Sequence, residues 1–162
     1  MQIEEIRNKL PEKLFLNFSQ KFSTLTPPQV KAVKAGLLDG KNVVVCAPTA
    51  SGKTFIAEMA MLKQILEHGG KAIYTVPLKA LATEKFNDFK ARYESLGVKV
   101  ALSIGDLDGA DNYLSRYDLI ICSNEKLDSL IRHYADWLSD VSIVVVDEVH
   151  LLNDISRGPT LE

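Results

Sequence analysis

Two short segments carry residue types that could handle a polyphosphate. The first is Ala47-Pro48-Thr49-Ala50-Ser51-Gly52-Lys53-Thr54, which follows a β-branched apolar run and opens a helical pattern. Backbone N–H groups at a helix N-terminus point at an anion, and the helix dipole favours negative charge there. Gly52 lets the backbone come close, Lys53 can reach the β- and γ-phosphates, and the Thr54 hydroxyl can ligate Mg²⁺. Ala47 stands where the strict G-x-x-x-x-G-K-[ST] spacing has its first glycine. The second segment is Ser142-Ile143-Val144-Val145-Val146-Asp147-Glu148, an apolar strand ending in adjacent carboxylates. Neighbouring strand residues face opposite ways, but past the strand end both can turn toward one cleft. Asp147 would hold Mg²⁺ through water, and Glu148 would orient or deprotonate an attacking water. Taken singly, the first segment could be a helix cap and the second a solvated strand end. Together they read as one ATP–Mg²⁺ site.

The elements that must position these residues alternate. Apolar runs at 42–47, 72–76, 98–104, 119–123 and 141–146 read as strands, and helical patterns occupy 52–68, 78–96 and 125–134. Such alternation predicts an α/β fold with a parallel sheet flanked by helices. Continuous apolar strands are expected where both sheet faces are covered, and ligands bind outside the carboxyl ends of the strands. Both chemical segments lie at such ends. Before them, 1–24 reads as a helical lead-in broken at Pro11, and 25–162 as the nucleotide-binding domain. Pro27-Pro28 begins an amphipathic helix that runs through Leu38 and closes at Asp39-Gly40.

The segments APTASGKT (from Ala47) and Asp147-Glu148-Val149-His150 resemble those of a superfamily-two DExH helicase. Val76-Pro77-Leu78-Lys79-Ala80-Leu81-Ala82 with Glu84-Lys85 is similar to helicase motif Ia. Gly105-Asp106-Leu107-Asp108-Gly109 and Ser123-Asn124-Glu125-Lys126-Leu127-Asp128-Ser129-Leu130 resemble the motifs around Ib. Leu151-Leu152 and Arg157-Gly158-Pro159-Thr160-Leu161-Glu162 resemble the segment after motif II. The set is most similar to the archaeal fork-processing DNA helicases of the Ski-type group. That resemblance implies a first RecA-like domain of a P-loop NTPase, ATP and Mg²⁺ as cofactors, and 3′ to 5′ movement on single-stranded or forked DNA. It implies that Gln29 reads the adenine edge, which suits an amide carrying one donor and one acceptor side by side. It implies phosphate-backbone contacts from Lys79, Lys85, Ser123 and Lys126, and a coupling role for His150. It further implies that motif III and a second RecA-like domain with an arginine finger follow in a complete helicase. The chain thus reads as C-terminally truncated, proteolysed or split, with a central strand position vacant unless a second copy fills it and the chain self-associates.

Composition narrows the classes. Among 162 residues, 19 Lys plus Arg against 21 Asp plus Glu give a net charge of −2, so no global basic field draws the chain to nucleic acid. Binding to DNA or RNA must come from local groups. No apolar run approaches the roughly 20 residues that span a bilayer. The charged start MQIEEIRNKL has no signal-peptide core; with this, the resemblance implies a cytoplasmic, DNA-associated place in an archaeal cell. Cys46 and Cys122 sit in apolar runs and read as buried thiols rather than a disulfide. An RNA helicase of the same group shares every ATP-site residue. A nucleotide-binding interaction module without turnover is a rival of another class. A small-molecule P-loop kinase has no place for the motif Ia segment.

Overall fold

Pro11 has no N–H to give and cannot sit inside a helix, so the N-terminal segment is split there. A 3₁₀ helix covers Ile3–Lys9, and Pro11 becomes the N-cap of α1, Glu12–Ser19. The computed structural model describes every residue except Thr49, 106–110, 154–159 and 161–162. The phosphate-loop Thr49, the Asp-rich stretch 106–109 and most of the segment resembling the stretch after motif II therefore lie outside the described residues.

Two compact units make up the chain, Met1–His68 and Gly69–Glu162. The division differs from the lead-in boundary expected after residue 24. The first 24 residues belong to the first unit because their apolar side chains (Ile3, Ile6, Leu14, Phe15, Phe18) are buried. Ile3 N–H donates to Ser23 O and Leu25 N–H to Met1 O, both at 3.0 Å, which closes this segment on itself. Next comes α2, Pro27–Lys34, entered through a capping box in which Thr26 and Gln29 satisfy each other's backbone. The long helix α3, Lys53–His68, buries Phe55, Ile56, Met59, Met61, Leu62 and Ile65. Phe55 meets Phe18 at 4.7 Å and Phe22 at 4.3 Å between ring centroids. Each such buried side chain contributes about 1.5–3 kcal/mol.

Residues 41–48 depart from expectation. The β-branched run 42–47 has no ladder partner and is not a strand among the described residues. A strand exists only where another strand takes up its backbone groups, and propensity alone does not supply one. Val44 is 78% exposed and Cys46 is exposed, so the expectation of a buried Cys46 is corrected.

The second unit holds a four-stranded sheet in the order β2-β3-β1-β4, where β1 is Lys71–Val76, β2 Val100–Ser103, β3 Leu119–Ser123 and β4 Val141–Val146. All its pairings are parallel, as the alternation predicts. Helix α4, Lys79–Tyr93, packs on β1, β2 and β3, and α5, Asn124–Arg132, packs on β3 and β1. One face of the sheet gathers Ile73, Ile120, Cys122, Leu130 and Trp137 into a core, so Trp137 is a packing residue. Near Tyr74, Phe89 lies edge-on with ring centroids 5.3 Å apart, and Tyr93 follows it at 6.2 Å. Every residue of β3, and every residue of β1 after Lys71, is buried. β4 alternates half-buried with exposed positions, as a strand does when one of its faces is less covered than the other, and it pairs only with β1 among the described residues. It is an edge strand, with Val144 and Val146 open on one side. No helix among the described residues is long and apolar enough to cross a membrane.

The two thiols should separate in labelling. Burial pushes Cys122 up to about 12, while Cys46 is exposed. At pH 8 a maleimide should modify one thiol per folded chain of 162 residues, at Cys46, and two after denaturation. Peptide mass mapping identifies the site.

Candidate active site

In the first unit the phosphate loop is shaped by two left-handed backbone positions, Ala50 at φ 61° and Gly52 at φ 87°. Gly52 is required twice over. Its φ suits glycine, and a Cβ there would stand 2.3 Å from Gln29 Nε2. The Gln29 amide is 4% exposed and spent on both sides. Its Oε1 accepts Thr26 N–H at 2.8 Å, and its Nε2 donates to Gly52 O at 3.2 Å. Thr26 Oγ1 adds a bond to Ser51 O at 3.1 Å. The start of α2 thus braces the loop through the Gln29 amide. Lys53 opens α3 and folds back, its Nζ donating to Ala47 O at 2.7 Å and Pro48 O at 3.0 Å. A cation held among the loop carbonyls lies where the first helical turn presents its free N–H groups. Thr54 is the second residue of that helix. Ser51 Oγ is buried with no hydrogen-bond partner among the described residues.

The second unit carries the acidic pair at the carboxyl end of β4. Asp147 N–H donates to Thr75 O at 2.9 Å, extending the β1–β4 ladder by one residue. Glu148 then takes φ 56°, a left-handed conformation that breaks strand alternation. Its N–H donates to Asp147 Oδ1 at 3.0 Å, while Tyr74 Oη donates to Asp147 Oδ2 at 2.7 Å. Asp147 is half-buried and doubly hydrogen-bonded, whereas the Glu148 side chain is 46% exposed. His150 Nδ1 lies 3.3 Å from Glu148 Oε2, within the 3₁₀ turn Val149–Asn153. The structure therefore brings Asp147, Glu148 and His150 into one local group. One carboxylate is fixed, and the other is presented to solvent with an imidazole nitrogen 3.3 Å away.

The four residues expected to touch a phosphate backbone fare differently. Lys79 is exposed at the first turn of α4, and Lys85 is half-buried further along it. Ser123 is 3% exposed and caps α5, its Oγ accepting Lys126 N–H at 3.2 Å. Lys126 is 5% exposed, and its ammonium pairs with Asp111 at 3.0 Å. Asp111 also accepts Ser103 Oγ at 3.0 Å. Lys126 is thus turned inward: a buried cation needs an opposite charge beside it, and the half-buried Asp111 supplies one. Nearby, Thr75 Oγ1 donates to Asn124 Oδ1 at 2.6 Å and ties β1 to the start of α5.

Sequence reasoning missed Tyr74, Asp111 and Asn124. A signal existed for the first, because a tyrosine within the apolar run of β1 must find a partner for its buried hydroxyl. Nothing in the sequence showed which partner.

Three substitutions check these assignments by urea denaturation. Gly52→Ala should lose about 1–2 kcal/mol, the cost of a left-handed L-residue. Lys126→Ala should lose about 2 kcal/mol by leaving Asp111 half-sheltered and unpaired. Lys79→Ala, at an exposed position, should stay within about 0.5 kcal/mol.

Several known proteins are similar to this chain. A family profile described as DEAD/DEAH box helicase matches residues 26–162. The ATP-dependent DNA helicase Hel308 of Pyrococcus horikoshii is 49% identical over 162 residues, which is 100% of this chain and 22% of that protein. Hel308 of Methanocella arvoryzae is 57% identical over 142 residues, 85% of this chain and 19% of that protein. The chain thus spans about a fifth of the length of these curated relatives. Among solved structures, the DUF1998 helicase MrfA bound to DNA and AMPPNP matches with a TM-score of 0.75 and 26% identity, over 88% of this chain and 21% of that one. A hypothetical ATP-dependent RNA helicase from Sulfolobus tokodaii matches with a TM-score of 0.71 and 26% identity, over 94% and 45%. With a phosphate loop ahead of α3 and an Asp-Glu pair at the end of β4, this chain belongs to the DEAD/DEAH box helicase family.

Proposed function

We propose that the chain is the ATP-binding first motor domain of an ATP-dependent DNA helicase that moves 3′ to 5′ on single-stranded or forked DNA in the archaeal cytoplasm. The observation that carries this reading is the left-handed turn at Glu148, which sets a fixed Asp147 beside a solvent-facing Glu148. That asymmetry matches a division of labour between a metal-holding carboxylate and a proton-accepting one. The Hel308 relatives, named as DNA helicases, support DNA over RNA as the substrate class.

Binding begins at the phosphate loop. Lys53 exchanges its bonds to Ala47 O and Pro48 O for phosphate oxygens, and the N–H groups of Pro48–Thr54 (proline apart) and α3 supply neutral donors. The donor set suits Mg²⁺, which takes hard oxygens and seldom needs more than one or two carboxylates beside the phosphates. Thr54 and Asp147 would hold it, and when bound it neutralises charge on the phosphates. Asp147 fits, because its two donors leave acceptor capacity on each oxygen. Glu148 accepts the proton of the attacking water, and His150 sets its orientation. Gln29 acts first on the loop through Gly52 and reaches adenine only by reorganising these bonds. Lys79 and Lys85 serve as backbone phosphate contacts, which position a strand without reading its sequence. Ser123 and Lys126 support the same surface from within. A second RecA-like domain of the same protein supplies the arginine finger. The open edge of β4 is the place where self-association would occur.

The test uses the full-length protein and measures phosphate release with and without single-stranded DNA or RNA. DNA should stimulate release more than RNA. Lys53→Ala should weaken ATP binding at least tenfold, since it removes the charge that meets the phosphates. Glu148→Gln should keep ATP binding and lower turnover by about 10²–10³-fold. Unchanged turnover in Glu148→Gln would overturn the proton-accepting role. No stimulation by either nucleic acid would favour a binding module without turnover.

A further inference from the structure

Resting on the reading that Asp147 holds the metal, we propose that Tyr74 is a positioning residue for it: its hydroxyl locks the Asp147 carboxylate in the orientation that meets the ion. Tyr74 is 2% exposed, and its ring lies edge-on against Phe89 at 82°, so packing already fixes the phenol. β1 and β4 are direct neighbours, with Tyr74 opposite Val145 and Thr75 opposite Val146. The next bond of that ladder, Asp147 N–H to Thr75 O at 2.9 Å, fixes the Asp147 backbone. The side chain is then gripped at both oxygens, Oδ2 by Tyr74 Oη at 2.7 Å and Oδ1 by Glu148 N–H at 3.0 Å.

An ionised carboxylate has about four lone-pair sites. Two donors, one on each oxygen, stop rotation of the carboxylate plane and leave one site on each oxygen for the ion or its water. An O–H donor to a carboxylate at this distance is a charge-assisted bond. Partners that orient a metal-holding residue commonly govern affinity as strongly as some ligands do. A tyrosine present only to satisfy its own buried hydroxyl would show no effect on the ion.

The experiment uses the full-length protein with AMPPNP and follows Mn²⁺ binding by electron paramagnetic resonance. Tyr74→Phe removes one oxygen and keeps the ring against Phe89, so its melting curve should stay cooperative. Mn²⁺ should bind roughly tenfold more weakly to Tyr74→Phe, with metal-free nucleotide binding unchanged. In an Asp147→Asn background, Tyr74→Phe should cause no further loss, because its effect passes through that carboxylate. Wild-type Mn²⁺ affinity in Tyr74→Phe, beside weakened binding in Asp147→Asn, overturns the role of Tyr74 alone. Equal losses with and without Asp147 overturn it too. Unchanged Mn²⁺ affinity in Asp147→Asn overturns the assignment of Asp147 and this proposal with it.

Discussion

Parallel pairing of β1 with β4 is the contact on which the acidic site depends. Neither strand specifies a site alone. β1 is an apolar run with one phenol, and β4 is an apolar run with two carboxylates past its end. Register sets Thr75 opposite Val146, and one further ladder bond places Asp147 beside the Tyr74 hydroxyl. A slip of one residue would turn every side chain of the shifted strand to the other face and separate that pair. The burial of β1 and β3 holds the register, since their apolar side chains have no other place to go.

Local strain then separates the two carboxylates. Had Glu148 stayed extended, it would have pointed away from Asp147. The left-handed turn costs about 1–2 kcal/mol for a residue with a Cβ. It is offset in part by the bond from Glu148 N–H to Asp147 Oδ1. The outcome is one carboxylate held by two hydrogen bonds on a backbone fixed by a third, and one left at the surface with His150. In the first unit the same economy appears in another form. Gly52 takes a conformation that leaves no room for a side chain, and the Gln29 amide occupies the space so freed.

Burial, rather than residue type, sorts the lysines. Lys53, Lys79, Lys85 and Lys126 look alike in a sequence. Lys126 sits at the third position of a helix capped by Ser123, facing inward, and is stable there only because Asp111 meets it. Lys79 opens α4 on its exposed side. The Lys126–Asp111 pair is therefore an internal ion pair, whereas Lys79 is left at the surface.

Much of the molecule could be read from residues alone. The α/β alternation, the parallel strands 72–76, 119–123 and 141–146, the phosphate loop opening α3 and the carboxylates ending β4 all follow from periodicity and residue type, which are local properties. The helix break at Pro11 and the need for glycine at position 52 are local as well. Other features depended on partners distant in the chain. The run 42–47 has the composition of a strand but no neighbour to pair with among the described residues, so it stays unpaired and Cys46 is exposed. Gln29 meets Gly52 across 23 residues, Lys126 meets Asp111 across 15, and Tyr74 meets Asp147 across 73. Composition and spacing decide which chemistry is available to a chain, because propensity and charge belong to single residues. Which groups restrain one another is decided by packing and register, because hydrogen bonds reach only about 3 Å and only the folded chain sets such distances.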